Sequence, residues 1–500
     1  MKDRLYESLR IYGESDYYPF HMPGHKRNPE SGPMSGIYRL DITEIDGFDN
    51  LHQPEGVLRE AMERAAALYG SEETYFLING STAGILSAVS AIAGRGKKLL
   101  IARNCHKAVY HAAFLNRLDI EYIYPPLLED FGISGGISAR QVEESIRILA
   151  EREKFPLSEI SHLIAGVVIT SPTYDGILSE SEEIVKTVHS YGIPMILDQA
   201  HGAHFGFHPG FPQSGVKEGA DLVVHSLHKT LPAPTQTALL HRSGVLTDGE
   251  LLRKYLRIYQ TSSPSYVLMA GIDSCIDLVR EEGSAKLNEL LSHRRELWQQ
   301  TLHLKYIHIY PSIAEGQNHR LTGSERNQSV EWYSGAGEPG RLIISVRGCD
   351  MTGKELYDRL RNTYHLQMEM YGWDYVTGIC SMMDEREGFL RLARALREID
   401  AALLEGSKNE LAKWPQPETV FSIFEAYVAE GEYVLLKESE GRIAADFVNL
   451  YPPGIPLLVP GEKIDGNVIT VLEHYLSKGY PVQGIERGNQ IKCCIKRTEE

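Results

Sequence analysis

The chain has 500 residues, 42% of them apolar, enough for a full hydrophobic core and incompatible with intrinsic disorder. A net charge of −16 argues against nonspecific nucleic-acid binding, and no stretch approaches the ~20 consecutive apolar residues of a membrane span. Six cysteines without a C-x-x-C pair give no disulfide or zinc framework, and the charged start MKDRLYESLRIYGESD is no secretory signal, so a soluble cytoplasmic protein is expected.

Residues 3–12 carry the spacing of a short amphipathic helix. PFHMPGHKR (residues 19–27) is too rich in proline and glycine for a helix and reads as a structured loop. DITEIDGFDNLHQPEG (residues 41–56) is a second loop, dense in acids. It either simply caps the helix predicted from Val57 to Tyr69, which stops at Gly70, or borders an active-site entrance. TYFLI (residues 74–78) reads as a strand. NGSTAG (residues 79–84) follows at once and opens a small-residue helix through Ala93. Strand, then Gly-Ser-Thr, then helix makes an anion cradle, with backbone N–H groups and the Ser81 and Thr82 hydroxyls as donors. No Gly-Lys-Ser/Thr follows, which excludes a Walker A loop.

The next strand, residues 98–102, ends in RNCHK (residues 103–107), where His106 is a flat ring at a strand end. An edge strand at 121–124, a helix at 138–151 and a strand at 164–169 lead to the turn TSPTYDG (residues 170–176). A helix is expected at 180–190. IPMIL (residues 193–197) then ends on Asp198, and DLVV (residues 221–224) ends on HSLHKT (residues 225–230), which carries Ser226, His228 and Lys229. Leu239 and Leu240 extend the strand set, and residues 253–260 read as helical. The hydroxyl-rich turn TSSPSY (residues 261–266) precedes two expected helices, 267–282 and 284–301. Strands alternating with helices predict an α/β fold with a mainly parallel sheet.

After residue 300 short strands (341–346 and 365–370) and helices (352–362 and 386–404) suggest a smaller α+β unit. The expected division is 1–300, an N-terminal arm with the large domain, and 301–500, the small C-terminal domain. YPPGIP (residues 451–456) and VPGE (residues 459–462) demand an extended loop, and residues 491–500 read as a weakly ordered tail.

Two apolar strands that each deliver an ionisable group at the carboxyl end build active sites in open α/β sheets. An acid on one and a lysine on the next suit Schiff-base chemistry: Lys229 would bind an aldehyde cofactor and Asp198 would keep that cofactor's ring nitrogen protonated. DQAH (residues 198–201) followed by SLHK (residues 226–229) resembles the fold-type I pyridoxal-phosphate enzymes, which are aspartate aminotransferase-like. With the strings at 19–27, 103–107 and 451–462, the chain resembles the ornithine/lysine/arginine decarboxylases, in the short form without an N-terminal wing domain. The resemblance implies pyridoxal 5'-phosphate as cofactor and decarboxylation of a basic amino acid, foremost arginine to agmatine in polyamine biosynthesis, with lysine and ornithine behind. It implies that His106 stacks on the cofactor ring, that Ser81, Thr82 and Ser226 bind phosphate, and that His201 orients the ring oxygen or lines the carboxylate side. His228 or the Lys229 amine would protonate the α-carbon. Ser262 would reach a neighbouring subunit's cofactor phosphate, which makes the active unit at least a dimer with shared sites. Glu44, Asp46, Glu369 and Glu462 are the candidate carboxylates for the substrate's distal cation. Other outcomes on the same lysine and aspartate are an aminotransferase or a C–S lyase. A metal hydrolase on His201, His204 and His208 belongs to another class, and it lacks the carboxylate of H-E-x-x-H.

Overall fold

Apolar runs hidden on both faces and bounded by turn residues form the central strands of an α/β sheet. The computed structural model describes residues 4–28, 30, 32–311, 336–406, 415–450, 454–477, 479–486 and 488–495. Its main strands are β1 (Glu73–Leu77), β2 (Lys98–Ala102), β3 (Asp119–Ile123), β4 (Ile164–Thr170), β5 (Met195–Asp198), β6 (Leu222–Ser226) and β7 (Ala238–Arg242). They make one seven-stranded sheet in the order β1-β7-β6-β5-β4-β2-β3. Every residue of β4, β5 and β6 is buried. The pairings are parallel except those of β7, which runs antiparallel to β1 and β6.

The helices around this sheet are α1 (Leu5–Gly13), α2 (Val57–Tyr69), α3 (Gly80–Ile92), α4 (Lys107–Asn116), α5 (Ala139–Arg152), α6 (Ser181–Ser190), α7 (Leu227–Thr230), α8 (Gly249–Tyr259) and α9 (Tyr266–Thr301). α3 is the central one, buried from Ala83 to Gly84 to Ile85 and on from Ser87 to Ile92. It lies close on the sheet because residue 84 is glycine. A Cβ there would stand 2.6 Å from Leu77 Cδ1 and 3.2 Å from Val224 Cγ1. This seats the start of α3 beside the end of β6.

α9 runs unbroken for 36 residues, where two helices meeting near Gly283 were expected. Its buried stripe of Cys275, Ile276, Val279, Leu287, Leu290 and Leu291 continues across the glycine. Burying one such side chain contributes about 1.5–3 kcal/mol, which outweighs the ~1 kcal/mol a helical glycine costs. α9 packs on α11 (Arg386–Asp400) and so joins the large sheet's layer to a four-stranded antiparallel sheet. That sheet consists of β8 (His308–Tyr310), β9 (Arg341–Ser345), β10 (Met370–Tyr371) and β11 (Tyr375–Ile379), with α10 (Gly353–Tyr364) against β11, in the order β8-β9-β11-β10. Of the strand expected at 365–370 only Met370 is in a strand, β10, and residues 365–369 are a connection. His365 ends α10 in the left-handed region at φ 54°, and it is Tyr375–Ile379 that forms the ladder with β9.

The last part holds β12 (Gly431–Leu435), β13 (Val448–Leu450), β14 (Ile455–Leu458), α12 (Gly466–Ser477), β15 (Val482–Gln483), β16 (Ile485–Glu486) and β17 (Gln490–Cys494). β17 is the middle strand of its sheet, with Ile491 and Cys493 buried, so residues 491–494 are not a loose tail. Tyr451, Pro452 and Pro453 of the predicted loop, and residues 496–500, lie outside the described residues.

One buried ion pair clamps this C-terminal part to the large sheet. Arg103, just past β2, is 1% exposed and Glu462 0%. Their closest atoms, Nη2 and Oε2, are 3.2 Å apart, and Arg103 also donates to the carbonyls of Pro456 (2.6 Å) and Leu457 (3.2 Å). Removing one partner of such a pair strands the other charge in a low-dielectric interior. Arg103→Met should lower stability by about 3–5 kcal/mol in urea titration, and Arg103→Met combined with Glu462→Met should recover most of that loss.

Candidate active site

The strand order reverses between β2 and β4, which opens a crevice at the carboxyl ends of the parallel strands. His106 follows β2, the turn 170–176 follows β4, Asp198 ends β5, and Ser226 ends β6 with Lys229 one turn on in α7. The crevice therefore gathers residues spread over more than a hundred positions of sequence.

Lys229 Nζ lies 3.0 Å from His201 Nε2. The other ring nitrogen of His201, Nδ1, takes a hydrogen bond from Arg341 Nη2, and the Tyr174 ring stands edge-on to the imidazole with centroids 4.9 Å apart. Arg341 Nε donates to Tyr174 O at 3.1 Å, and the Tyr174 hydroxyl donates to Glu369. Arg341 opens β9 and is fully buried, with Nη1 left without a partner. Its stem crosses Gly176, a position with φ +85° where a Cβ would stand 2.2 Å from Arg341 Cγ, so only glycine fits.

Asp198 is buried and accepts a bond from Ala200 N at 3.2 Å. Burial pushes its pKa up, and Lys229, when protonated, pulls it back. Burial pushes Lys229 down; Asp198 and Glu369 oppose that shift and Arg341 adds to it. His201 is held well below its ordinary value by burial, then by Lys229 and Arg341. Burial and then Lys229 bring His106 down to about 4. His106 also caps α4, its Nδ1 accepting from Ala108 N at 3.2 Å, which fixes the remaining proton on Nε2. His228 donates from Nδ1 to Thr237 O at 2.9 Å.

The anion cradle stands open. No side chain caps the N-terminus of α3, where Ser81 is half-buried and Thr82 exposed. Ser226 Oγ is buried without a hydrogen-bond partner. Asn79 Oδ1, at the start of α3, accepts instead from Thr261 N at 3.1 Å, which brings the exposed Ser262 turn beside the cradle of its own chain.

The histidines of the metal alternative serve separate partners: His201 as above, His204 with Glu338 at 3.3 Å, and His208 Nδ1 with Gly210 N at 3.0 Å. Among the four candidate carboxylates, Glu462 is committed to Arg103 inside the protein and is not free for substrate, which corrects that expectation. Glu44 is half-buried and Asp46 exposed in the 41–56 loop, where Asp49 caps α2 by accepting from the N–H groups of Gly56 and Leu58. Glu369 faces a cavity of about 550 Å³ lined also by Asn104, Tyr124, Asp175, Tyr371, Trp373, Tyr375 and Tyr480. Asn104 Oδ1 is buried there with no partner, and burial lifts Asp175 to about 6 against the hydrogen bond from Thr377. Sequence reading missed Arg341 and the Tyr174 side chain. The available signal was an arginine opening an otherwise apolar strand directly after Gly-Glu-Pro-Gly.

Residues 4–354 match the Orn/Lys/Arg decarboxylase major domain, and residues 413–480 match the C-terminal domain of the same family. An arginine decarboxylase of Bacillus subtilis is 31% identical over 492 residues, spanning 96% of this chain and 95% of the relative. An arginine decarboxylase of Bacillus anthracis is 28% identical over 492 residues, spanning 96% and 94%. The constitutive lysine decarboxylase of Escherichia coli is 23% identical, over 94% of this chain and 76% of its own. The solved structure of that lysine decarboxylase superposes with a TM-score of 0.81 at 21% identity, covering 98% of this chain and 82% of that one. The fold is that of the fold-type I pyridoxal-phosphate enzymes, a mainly parallel sheet followed by smaller α+β elements.

Behind the crevice a row of neutral imidazoles holds the loop after Asp198. Gln199 Oε1 accepts from His225 Nε2 (2.8 Å) and Gly215 N (2.9 Å), which leaves His225 Nδ1 to accept from His241 Nε2 at 3.0 Å. His241 Nδ1 then accepts from the Thr74 hydroxyl at 2.8 Å. Burial, with His241 adding to it, keeps His225 well below 6.5, and burial alone brings His241 down to about 3. The unfolded chain therefore binds more protons than the folded one below pH 6.5. Stability should fall as pH drops through that value, by about 1.4 kcal/mol per pH unit for each such imidazole. Urea midpoints should decline between pH 7 and pH 5, and His241→Gln should flatten that slope.

Proposed function

This chain belongs to the Orn/Lys/Arg decarboxylase family, and from that premise we propose that it converts arginine to agmatine and carbon dioxide. Lysine and ornithine are the lesser substrates. The enzyme is a pyridoxal-phosphate-dependent amino-acid decarboxylase. The reading is carried by Lys229, Asp198 and the open start of α3 meeting at one strand-end crevice, in a chain that arginine decarboxylases match over nearly its whole length.

The residues present fit the cofactor. The start of α3, with Ser81, Thr82 and the partnerless Ser226 Oγ, has donors for a phosphate. Asp198 offers a buried carboxylate and Lys229 an amine. Pyridoxal phosphate, when bound, supplies an electrophilic aldehyde and a cationic ring that takes up the electron pair of a bond broken at the α-carbon. Asp198, ionised, would hold a proton on the ring nitrogen, since an opposite charge within hydrogen-bond reach favours the protonated form. His106 would cover one ring face, and His201 would sit at the ring oxygen. His228 has Nδ1 committed to Thr237 O, so Nε2 is the atom through which it, like the Lys229 amine, would pass a proton to the α-carbon.

The cavity beside Tyr174 is the proposed seat of the substrate's distal cation. Glu369 supplies the opposing carboxylate, and Tyr371, Trp373 and Tyr480 form an aromatic wall around it. For assembly, the N-terminal arm leaves Tyr17 69%, Tyr18 71%, Phe20 90% and Met22 64% exposed, a run of apolar surface suited to burial against a second copy. This supports a homodimer, while the Ser262 turn, expected to reach a neighbour's cofactor phosphate, lies beside the cradle of its own chain. No helix among the described residues is long and apolar enough to cross a membrane, and all six cysteines are unpaired, which supports a cytoplasmic location.

Purified protein supplied with cofactor should release carbon dioxide from arginine and give agmatine as the main amine. Equal inertness toward arginine, lysine and ornithine would defeat the substrate reading, and consumption of a keto-acid acceptor would indicate an aminotransferase. Lys229→Ala should abolish turnover. Asp198→Ala should lower it roughly a thousandfold, equivalent to about 4 kcal/mol of lost transition-state stabilisation. Glu369→Gln should raise KM for arginine roughly 10- to 100-fold, the worth of a hydrogen bond to a charged group, with a smaller change in kcat.

A further inference from the structure

We propose that Arg341 and His201 form a donor relay that keeps the resting Lys229 amine free of a proton, poised to attack an aldehyde. The proposal rests on Lys229 being the cofactor lysine. Arg341 is a positioning residue in it, acting through His201.

A guanidinium has hydrogens to give and no lone pair to receive one, so His201 Nδ1, in contact with Arg341 Nη2, is the acceptor. A doubly protonated imidazole would set two donors and two cations against each other inside the protein, so His201 is neutral. Its single hydrogen is then on Nε2. That hydrogen faces Lys229 Nζ across 3.0 Å. An ammonium would meet it with hydrogens alone, whereas an uncharged amine presents the lone pair that completes the bond.

Arg341 is not free to leave this arrangement. It is fully buried, its Nε is held by Tyr174 O at 3.1 Å, and its stem lies over Gly176 with no room for a side chain beneath. The charged groups around Lys229 are opposed: Asp198 from β5 and Glu369 ahead of β10 favour the ammonium, and Arg341 from β9 disfavours it. The imidazoles of His201, His106 and His228 complete the surroundings, all biased toward neutrality by burial. Lys229 itself is pushed below its ordinary value, burial first, in the same direction as the hydrogen-bond argument. Capture of the aldehyde uses the lone pair to form a C–N bond and expels the carbonyl oxygen as water, so nothing is oxidised or reduced.

The test uses cofactor uptake rather than turnover. Full-length cofactor-free protein is mixed with pyridoxal phosphate between pH 6 and pH 10. Uptake is followed by absorbance and fixed with borohydride, and the labelled peptide is identified by mass spectrometry. Wild type should show a rate midpoint below the ordinary lysine value. In Arg341→Met the midpoint of the rate profile should move up by about one to two units, the size of a lost neighbouring charge, and Arg341→Lys, which keeps both charge and donor, should restore it. An unchanged midpoint in folded Arg341→Met overturns the relay, as does loss of uptake at every pH, which would make Arg341 a cofactor ligand. Should Arg341→Met fail to fold by circular dichroism, His201→Phe removes the middle of the relay, and an unshifted midpoint there overturns it equally. A wild-type label on any peptide other than the one carrying Lys229 would instead defeat the reading on which the relay rests.

Discussion

A lysine amine is a nucleophile only without its proton, and burial, with Arg341 adding to it and Asp198 and Glu369 opposing it, disfavours the ammonium of Lys229. Asp198 and Lys229 come from neighbouring strand ends of the seven-stranded sheet, fixed by the pairing of β5 with β6. Arg341 comes from the four-stranded sheet, more than a hundred residues later. The balance exists only while the two sheets are held in register with each other. The unbroken α9, whose buried stripe touches both layers, gives that connection a rigid spine. A hinge at Gly283 would have left the guanidinium free to drift from the imidazole.

The C-terminal part is tied in by a different logic. Glu462 stands in the sequence as one of four acids available to a cationic substrate. Instead it is a buried counter-ion, and Arg103 spends its donors on Glu462 and on two carbonyls of the 456–457 backbone. Buried pairs of this kind add little net stability against an apolar core, but they punish misplacement severely. The residue they place is His106, three positions after Arg103 at the mouth of α4, whose N–H at Lys107 also bonds to Gly454 O at 3.2 Å.

Much of this was legible in the sequence because it rests on local signals. Each buried strand is a continuous apolar run with a polar stop, with Asp198 at its stop and His106 and Lys229 a few residues beyond theirs. The Gly-Ser-Thr after β1 announces an open helix start for the same reason. Less legible were features set by long-range contact. Met370 and Tyr371 could not be told from a longer strand, because what makes a ladder is the partner, and β9 pairs with Tyr375–Ile379. Residues 490–494 look like a frayed end until β12 and β16 flank them. The α9 glycine misled because a local propensity of ~1 kcal/mol was weighed without the stripe of burial that overrides it. For Arg341 the local sign, an arginine opening an apolar strand, says nothing of its role, because its partners lie far away at 174 and 201.

Tyr174 shows how the two halves of the site depend on each other. Its backbone carbonyl anchors Arg341, its ring flanks His201, and its hydroxyl is bound to Glu369 at the wall of the aromatic cavity. One residue thus touches the groups that set the proton on Lys229 and the carboxylate assigned to the substrate's far cation. Any movement of that ring is felt first by His201, because the two rings are in direct contact. A single side chain therefore joins the carboxylate at the cavity wall to the imidazole beside Lys229.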